Sequence, residues 1–401
     1  MADRASLSNR RDGGEAMIRR PKALIAALLA AGILAVGALW AFTSASTGID
    51  AATRDRLFKE LVDSRSDEPK LGLPRDWHAC VGGVARLADK NASRIECDTW
   101  TAQGVTSTLV ALREGDAFVP VVESRLEVAS DDGRYVIDVV GGPGGEPFPV
   151  RRGTTDEFFD RLKDAGLTPN IWDDMRVSPY RHLMGRGFTI ASVGYWGTNI
   201  RTLGAADEIE MAFADVAAAV DFYRDQAGAE PALVTTSLGN HIALGALGRE
   251  RLERMNVLAV VPVMDGLQHH LQRNRRENVE KREEAEAKGE PFGEWTTFNI
   301  YSKTDSGIAF DHSQVLPLHD YVPRYVGGRD LAFREVRPRG ACSRIVLGNK
   351  DPRTRDYLAA RPGRTKRLIV LNADHDLAKD DPQSVRSIFR DLAQRLVRQE
   401  A

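Results

Sequence analysis

Strand-like and helix-like segments alternate along the C-terminal part of this chain. Short apolar runs typical of buried strands occur at 135–140, 188–194 and 257–264, and a long amphipathic segment at 205–227 lies between two of them. The strand-like runs RIVLG and RLIVLNA then precede a final helix near 383–398. Parallel strands need a long crossover between them, usually a helix. The alternation therefore predicts an α/β fold with a mostly parallel central sheet and helices on both faces.

One local signal predicts a β-hairpin, which is a much shorter connection than a crossover between parallel strands. Asp132 and Gly133 lie between the strand-like sequences SRLEVAS and RYVIDVV. An Asp-Gly pair between two such sequences is typical of a β-hairpin turn. The sequence thus predicts a hairpin at this point of the chain.

The alternation is interrupted once, between the strands at 257–264 and 344–348. The segment 267–340 contains the charge run RNRRENVEKREEAEAKGE near its start, and we predict that it is an inserted, mostly helical cap. The predicted α/β core is thereby divided into 131–266 and 341–401. Acidic residues are interleaved in the charge run and the whole chain has a formal charge of −2, so neither the run nor the overall charge favours nucleic-acid binding.

The N-terminal region predicts a membrane anchor. Residues 23–42, ALIAALLAAGILAVGALWAF, carry no charge and no proline, and a helix of that length spans about 30 Å, the thickness of the hydrocarbon core of a bilayer. Basic residues precede the segment within 1–22, and no lysine or arginine follows it until Arg54. The positive-inside rule therefore predicts a short cytoplasmic tail and an exported remainder. A signal peptide cleaved near 43–45 is the alternative.

Residues 43–130 predict a linker and a small lead-in with β-strands. This region contains Cys80 and Cys97, for which an oxidising compartment permits a bridge, and two unrelated buried thiols are the equal alternative. Cys342 directly precedes a core strand and is predicted to be a small buried apolar residue. Three cysteines in 401 residues exclude a scaffold built on disulfides.

Ser237 lies where a predicted strand runs directly into a predicted helix, in the sequence Leu-Val-Thr-Thr-Ser-Leu-Gly. A serine on so tight a turn exposes its hydroxyl above the sheet, and the residues two positions away on either side must be small because the turn crowds them. The common pattern is G-x-S-x-G, and here Thr235 stands at the first glycine. The sequence predicts a nucleophilic serine, with a serine that only caps the helix as the alternative.

A serine hydroxyl needs a base to remove its proton, and the base needs a carboxylate that orients it. Asp351 follows the strand RIVLG and His375 follows the strand RLIVLNA, in the order Ser…Asp…His that this architecture uses. Carboxyl ends of parallel strands are also where ligands bind in open α/β sheets. Asp265 is the rival acid, and Asp374 and Asp376 are neighbouring alternatives.

Acyl transfer also needs backbone N–H groups aimed at a developing oxyanion. The loop GGPGG at 141–145 follows a buried strand, and we predict that the N–H groups of Gly142 and Leu238 form this oxyanion hole. A phosphate-binding loop is the rival interpretation, but the glycine patterns typical of such loops are absent from the sequence. His269, His270 and His312 have no partner at the spacing of metal ligands, so no metal and no organic cofactor is predicted.

Together these residues resemble the α/β-hydrolase superfamily over about 131–266 and 341–401. The resemblance implies that Ser237 is the nucleophile, that His375 is the general base and acid, and that Asp351 orients it. It also implies that the insertion at 267–340 covers the substrate.

Two further features belong to this resemblance. The GGPGG loop is similar to the His-Gly-Gly-Pro-Gly loop of proline iminopeptidase-like members, although Val140 stands where their histidine would be. Tyr195 and Trp196 follow a strand at a position where the superfamily often lines its pocket, with simple packing as the alternative.

The function predicted from these features is a membrane-anchored serine hydrolase outside the cytoplasm, in a bacterial inner membrane facing the periplasm. It cleaves an ester, thioester or amide bond of a small-molecule or peptide substrate through an acyl-enzyme. The alternatives are a proline iminopeptidase-like peptidase and a catalytically silent binding protein with a hydrolase fold. The protein is secreted if the N-terminal segment is cleaved.

Overall fold

The computed structural model describes residues 93–400, with gaps at 115–116, 129–132, 142–159, 161–170, 173, 197, 199–208, 268–282, 285–286, 290–330 and 361–365. The elements in chain order are β1 (Arg94–Ala102), β2 (Val105–Glu114), β3 (Ala117–Leu126), β4 (Arg134–Val139), α1 (Arg181–Met184), β5 (Phe188–Val193), α2 (Ile209–Ala227), β6 (Ala232–Thr236), α3 (Leu238–Arg254), β7 (Val257–Val260), a 3₁₀ turn (Phe333–Glu335), β8 (Arg344–Gly348), α4 (Pro352–Ala360), β9 (Leu368–Leu371), α5 (Leu377–Asp380) and α6 (Pro382–Glu400).

The strands form one sheet in the order β1-β2-β3-β5-β4-β6-β7-β8-β9. The first three strands and β5 pair antiparallel, whereas β5, β4, β6, β7, β8 and β9 run parallel to one another. The predicted mostly parallel sheet is therefore confirmed. The lead-in strands β1–β3 extend this sheet at one edge and do not form a sheet of their own.

Helices cover both faces of the sheet, as the alternation predicted. Apolar side chains of α2 and α3, such as Val216 and Ile242, pack in one core, and those of α1 and α6, such as Leu183 and Phe389, pack in another. Within β4, Val136 belongs to the second core and the next residue belongs to the first. Because successive side chains of a strand point to opposite faces, β4 is buried on both sides, and its sequence is mostly apolar apart from Arg134 and the buried Asp138.

The predicted hairpin between β3 and β4 is wrong, because these two strands are not neighbours in the sheet. Gly133 does adopt the left-handed backbone of a turn residue, with φ of 65°. However, β5 lies between β3 and β4, and it pairs antiparallel with β3 and parallel with β4. The signal at Gly133 concerns only the local backbone, whereas the long crossovers that follow decide which strands become neighbours.

Several predicted segments fall outside the described residues. These are the cytoplasmic tail 1–22, the apolar segment 23–42, the part of 43–130 before residue 93, and most of the predicted cap 267–340. Among the residues that are described, no helix is long and apolar enough to cross a bilayer.

Two of the three cysteines lie in the described part of the chain. Cys97 is disulfide-bonded and lies in β1, where the pairing with β2 shifts register between Glu96 and Asp98. Cys342 is a free, buried thiol next to β8, as predicted. Cys80 lies outside the described residues.

Candidate active site

Ser237 occupies a sharp turn between β6 and α3. Its backbone has φ of 49° and ψ of −118°, a conformation that residues other than glycine rarely adopt. A Cβ on Gly239 would lie 2.1 Å from the carbonyl oxygen of Val139, and one on Gly141 would lie 2.9 Å from the Cβ of Ser237. The second glycine of the predicted motif is therefore required, because the helix starts directly against the end of β4.

The three residues predicted for catalysis meet above the carboxyl ends of β6, β8 and β9. His375 Nε2 lies 2.9 Å from Ser237 Oγ, and His375 Nδ1 lies 2.7 Å from Asp351 Oδ2. A carboxylate can only accept a hydrogen bond, so Nδ1 carries the proton of the neutral ring. Nε2 is then left as the acceptor that faces the serine hydroxyl, which is the arrangement a general base needs.

Asp351 is fully buried at the start of α4. Its Oδ1 accepts a hydrogen bond of 2.9 Å from the Arg353 backbone N–H and lies 3.8 Å from the Arg353 guanidinium. Burial alone would raise the pKa of the Asp351 carboxyl, but the hydrogen bond from His375 and the charges of His375 and Arg353 outweigh it and lower the pKa. Asp351 is thus an anion at neutral pH.

The imidazole of His375 retains 27% of its side-chain exposure. Burial lowers the pKa of His375 below 6.5, and the neighbouring Arg353 lowers it further, against the opposing effect of Asp351. The ring is therefore neutral at pH 7, as a base that accepts the serine proton must be.

The rival aspartates have other partners. Asp265 lies 3.6 Å from the Arg334 guanidinium. Asp374 accepts the backbone N–H of His375 itself, at 2.7 Å, and Asp376 accepts the N–H of Lys379 at the start of α5. Asp374 and Asp376 shape the loop that carries His375, while Asp351 alone of the predicted acids contacts its ring nitrogen.

The predicted oxyanion donors are only partly described. Leu238 is the first residue of α3, and the N–H of a first-turn residue has no carbonyl partner within its own helix. No carbonyl of α3 therefore competes with a ligand for this N–H. Gly142 lies outside the described residues, so its part in an oxyanion hole stays a prediction.

Tyr195 and Trp196 contribute packing and hydrogen bonds around the loop before Gly142. The Tyr195 side chain is fully buried, and its hydroxyl donates to the carbonyl oxygen of Val140 at 2.8 Å. The backbone N–H of Trp196 donates to Asp215 Oδ2 at 2.9 Å. Tyr195 is therefore not exposed to a pocket, and it fixes the backbone at the point where the glycine-rich loop leaves β4.

Sequence reasoning missed two polar groups next to Ser237. Thr235 and Asn240 are fully buried, and the Thr235 hydroxyl donates to Asn240 Oδ1 at 2.6 Å. The only signal in the sequence is the presence of polar residues at positions where β6 and α3 should be apolar. His241, also fully buried, bonds the carbonyl of Val263 through Nε2, and burial lowers its pKa to about 4, so it is a neutral core residue.

Among the described residues, no group of three or more histidine, cysteine, aspartate or glutamate side chains is arranged to hold a metal ion.

Comparison with known proteins adds structural neighbours only. No protein family and no curated protein matches the chain significantly. It is similar to an esterase of Pyrococcus furiosus (13% identity, 72% of this chain and 90% of that one, TM-score 0.39) and to an esterase of Pyrobaculum calidifontis (13%, 74% and 87%, 0.39). It is also similar to a serine hydrolase of Xanthomonas campestris described as having no lid (12%, 72% and 94%, 0.37).

The chain's own features decide the architecture. The parallel strands β4 to β9, the strained serine between β6 and α3, and the order Ser…Asp…His at successive strand ends occur together. The fold is α/β-hydrolase-like.

Proposed function

We propose that this protein is a serine hydrolase that cleaves an ester, thioester or amide bond through an acyl-enzyme. The observation that carries the proposal is the double hydrogen bond of His375, to Ser237 Oγ on one side and to the buried Asp351 on the other. Burying an unpaired charge is costly. A serine and a histidine that were close only by chance would therefore not need a fully buried carboxylate behind the imidazole ring.

The mechanism follows from the protonation states. Ser237 Oγ attacks the acyl carbon while its proton passes to His375 Nε2, and Asp351 stabilises the imidazolium that forms. The negative charge on the acyl oxygen is stabilised by the N–H of Leu238 and by a second donor that we assign to Gly142. His375 then protonates the leaving group, and a water molecule activated by the same nitrogen releases the acid and restores the serine.

The expected result for the wild-type enzyme is hydrolysis of p-nitrophenyl acetate and butyrate, with an initial burst of p-nitrophenol where deacylation is slower than acylation. Activity should be maintained at neutral pH and fall on acidification only below pH 6.5, because burial and Arg353 lower the pKa of His375. A pH profile of kcat/KM measures this. An acid limb at or above pH 6.5 would contradict the lowered pKa of His375, and the absence of any turnover would favour the catalytically silent alternative.

A proline iminopeptidase-like peptidase is the second candidate, and the GGPGG loop favours it. The two candidates are separated by comparing prolyl p-nitroanilide with short-chain and long-chain p-nitrophenyl esters at equal concentration. Preferential cleavage of the prolyl amide supports the peptidase. We expect the esters to be preferred, because the histidine of the peptidase loop is replaced by Val140.

We also propose that residues 23–42 anchor the protein in a membrane, with the tail 1–22 in the cytoplasm and the hydrolase domain outside it. The apolar length and the basic flank support this arrangement. In a bacterial host, the full-length chain should remain in the membrane pellet after an alkaline carbonate wash, and a chain lacking 1–42 should not. A processed, freely soluble product of the full-length chain would favour the cleaved signal peptide and secretion.

A further inference from the structure

The turn that carries Ser237 is braced by a buried polar network. Asn240 Nδ2 donates to the carbonyl oxygens of Ser237 and Val260, at 3.0 Å each. The backbone N–H of Asn240 also donates to the Ser237 oxygen at 3.2 Å, and the Ser237 N–H donates to the Val260 oxygen at 2.9 Å. The carbonyl oxygen of Ser237 thus accepts hydrogen bonds from two donors of Asn240. The Asn240 side chain also connects the turn to the end of β7.

The orientation of the Asn240 amide follows from its partners. Carbonyl oxygens can only accept, so the NH₂ group must face Ser237 and Val260, and the amide oxygen must face Thr235. Thr235 Oγ1 is the donor to that oxygen, at 2.6 Å. A glycine at position 235, as in the common motif, would leave the buried oxygen of Asn240 without this donor. Thr235, which replaces the first glycine of G-x-S-x-G, therefore supplies the hydrogen bond that Asn240 on α3 needs.

The network reaches the predicted oxyanion hole through one peptide bond. The carbonyl of Ser237 and the N–H of Leu238 belong to the same planar trans peptide and point in opposite directions. Fixing the Ser237 oxygen consequently fixes the direction of the Leu238 N–H. Oxyanion donors act through preorganised direction, so a small rotation of this peptide weakens the stabilisation of the transition state more than the binding of the substrate.

We propose that Thr235 and Asn240 are positioning residues that aim the Leu238 N–H at the oxyanion. This inference rests on the proposed serine hydrolase function. It differs from a purely structural role because it predicts a loss in kcat that persists when the stability of the fold is restored.

The test compares four variants with wild type on p-nitrophenyl acetate. Thr235→Val removes the hydroxyl at nearly constant volume, and Thr235→Ser keeps it, so we expect kcat to fall about 10-fold in the first and little in the second. Asn240→Leu should lower kcat about 100-fold with KM nearly unchanged, within the range for loss of one oxyanion donor. The double variant Thr235→Val, Asn240→Leu removes both buried partners and should recover the Tm that Asn240→Leu loses, without recovering kcat.

Butylboronic acid supplies a second readout. Its boron accepts an electron pair from Ser237 Oγ, the serine proton passes to His375, and the tetrahedral adduct places an oxygen in the oxyanion position. Its inhibition constant should rise in proportion to the loss in kcat/KM across the variants. If Asn240→Leu does not fold, the inhibition constants and kcat values of Thr235→Val and Thr235→Ser still test the positioning role.

Three results would overturn the inference: wild-type kcat in Thr235→Val, equal losses in Thr235→Ser and Thr235→Val, or recovery of kcat together with Tm in the double variant. In each of these cases wild type is active, so the proposed hydrolase function stands. If wild type itself neither hydrolyses p-nitrophenyl acetate nor binds the boronic acid, the hydrolase function fails and the positioning role fails with it.

Discussion

Replacing Ser237 with alanine will lower kcat for p-nitrophenyl acetate by about 10⁴- to 10⁶-fold. The Ser237 hydroxyl oxygen lies 2.9 Å from His375 Nε2, and an alanine methyl group cannot form the acyl-enzyme. The free energy of unfolding should change little, because Ser237 is only partly buried and its strained backbone is imposed by the surrounding turn. Steady-state kinetics and a thermal melt on the same preparation measure both quantities.

The matched control is Ser387→Ala, which removes an exposed hydroxyl of α6 that accepts a hydrogen bond from Arg390. This variant should retain wild-type kcat. If Ser237→Ala retains substantial turnover while it is folded, the nucleophile has been misassigned and the acyl-enzyme mechanism fails.

Asp351→Asn will lower kcat by about 10⁴-fold while the protein stays folded. The Arg353 N–H already bonds Oδ1, so the new amide keeps its oxygen there and turns its NH₂ group toward His375. The NH₂ group would donate to Nδ1 and force the ring proton onto Nε2. His375 would then present a donor to Ser237 and could not accept the serine proton.

Asp265→Asn is the control for this second prediction, because Asp265 pairs with Arg334. It should keep near wild-type activity in the same assay. A large loss in Asp265→Asn together with normal activity in Asp351→Asn would show that the orienting acid is Asp265, and that the contact of Asp351 with His375 is not used in catalysis.

Local signals in the sequence were sufficient to bring the three candidate residues together, but not to predict every strand pairing of the sheet. Ser237 directly follows β6, and Asp351 and His375 lie in the loops just after β8 and β9. The parallel strands bring their carboxyl ends to one edge of the sheet, so these local positions place the three side chains together. The pairing of β3 with β5 could not be predicted from the Asp-Gly turn, because it depends on a crossover between strands that are distant in sequence.

The bracing of the serine turn was also beyond sequence reasoning. Thr235 is a departure from the G-x-S-x-G pattern, and no motif in the sequence marks Asn240. Their significance depends on the hydrogen bond between them and on the carbonyls of Ser237 and Val260, which belong to two different strand ends. A polar residue at a buried position was the available signal, but its partner cannot be identified from spacing alone.

Site mapping of a fluorophosphonate adduct tests the central claim most directly. The full-length protein is treated with the probe, digested, and analysed by peptide mass spectrometry, with Ser237→Ala treated in parallel. Because fluorophosphonates react with activated serines, we expect one equivalent of adduct on the peptide that contains Ser237 and none on the variant. An unlabelled wild type, or equal labelling of Ser237→Ala, would contradict the assignment of this protein as a serine hydrolase acting through Ser237.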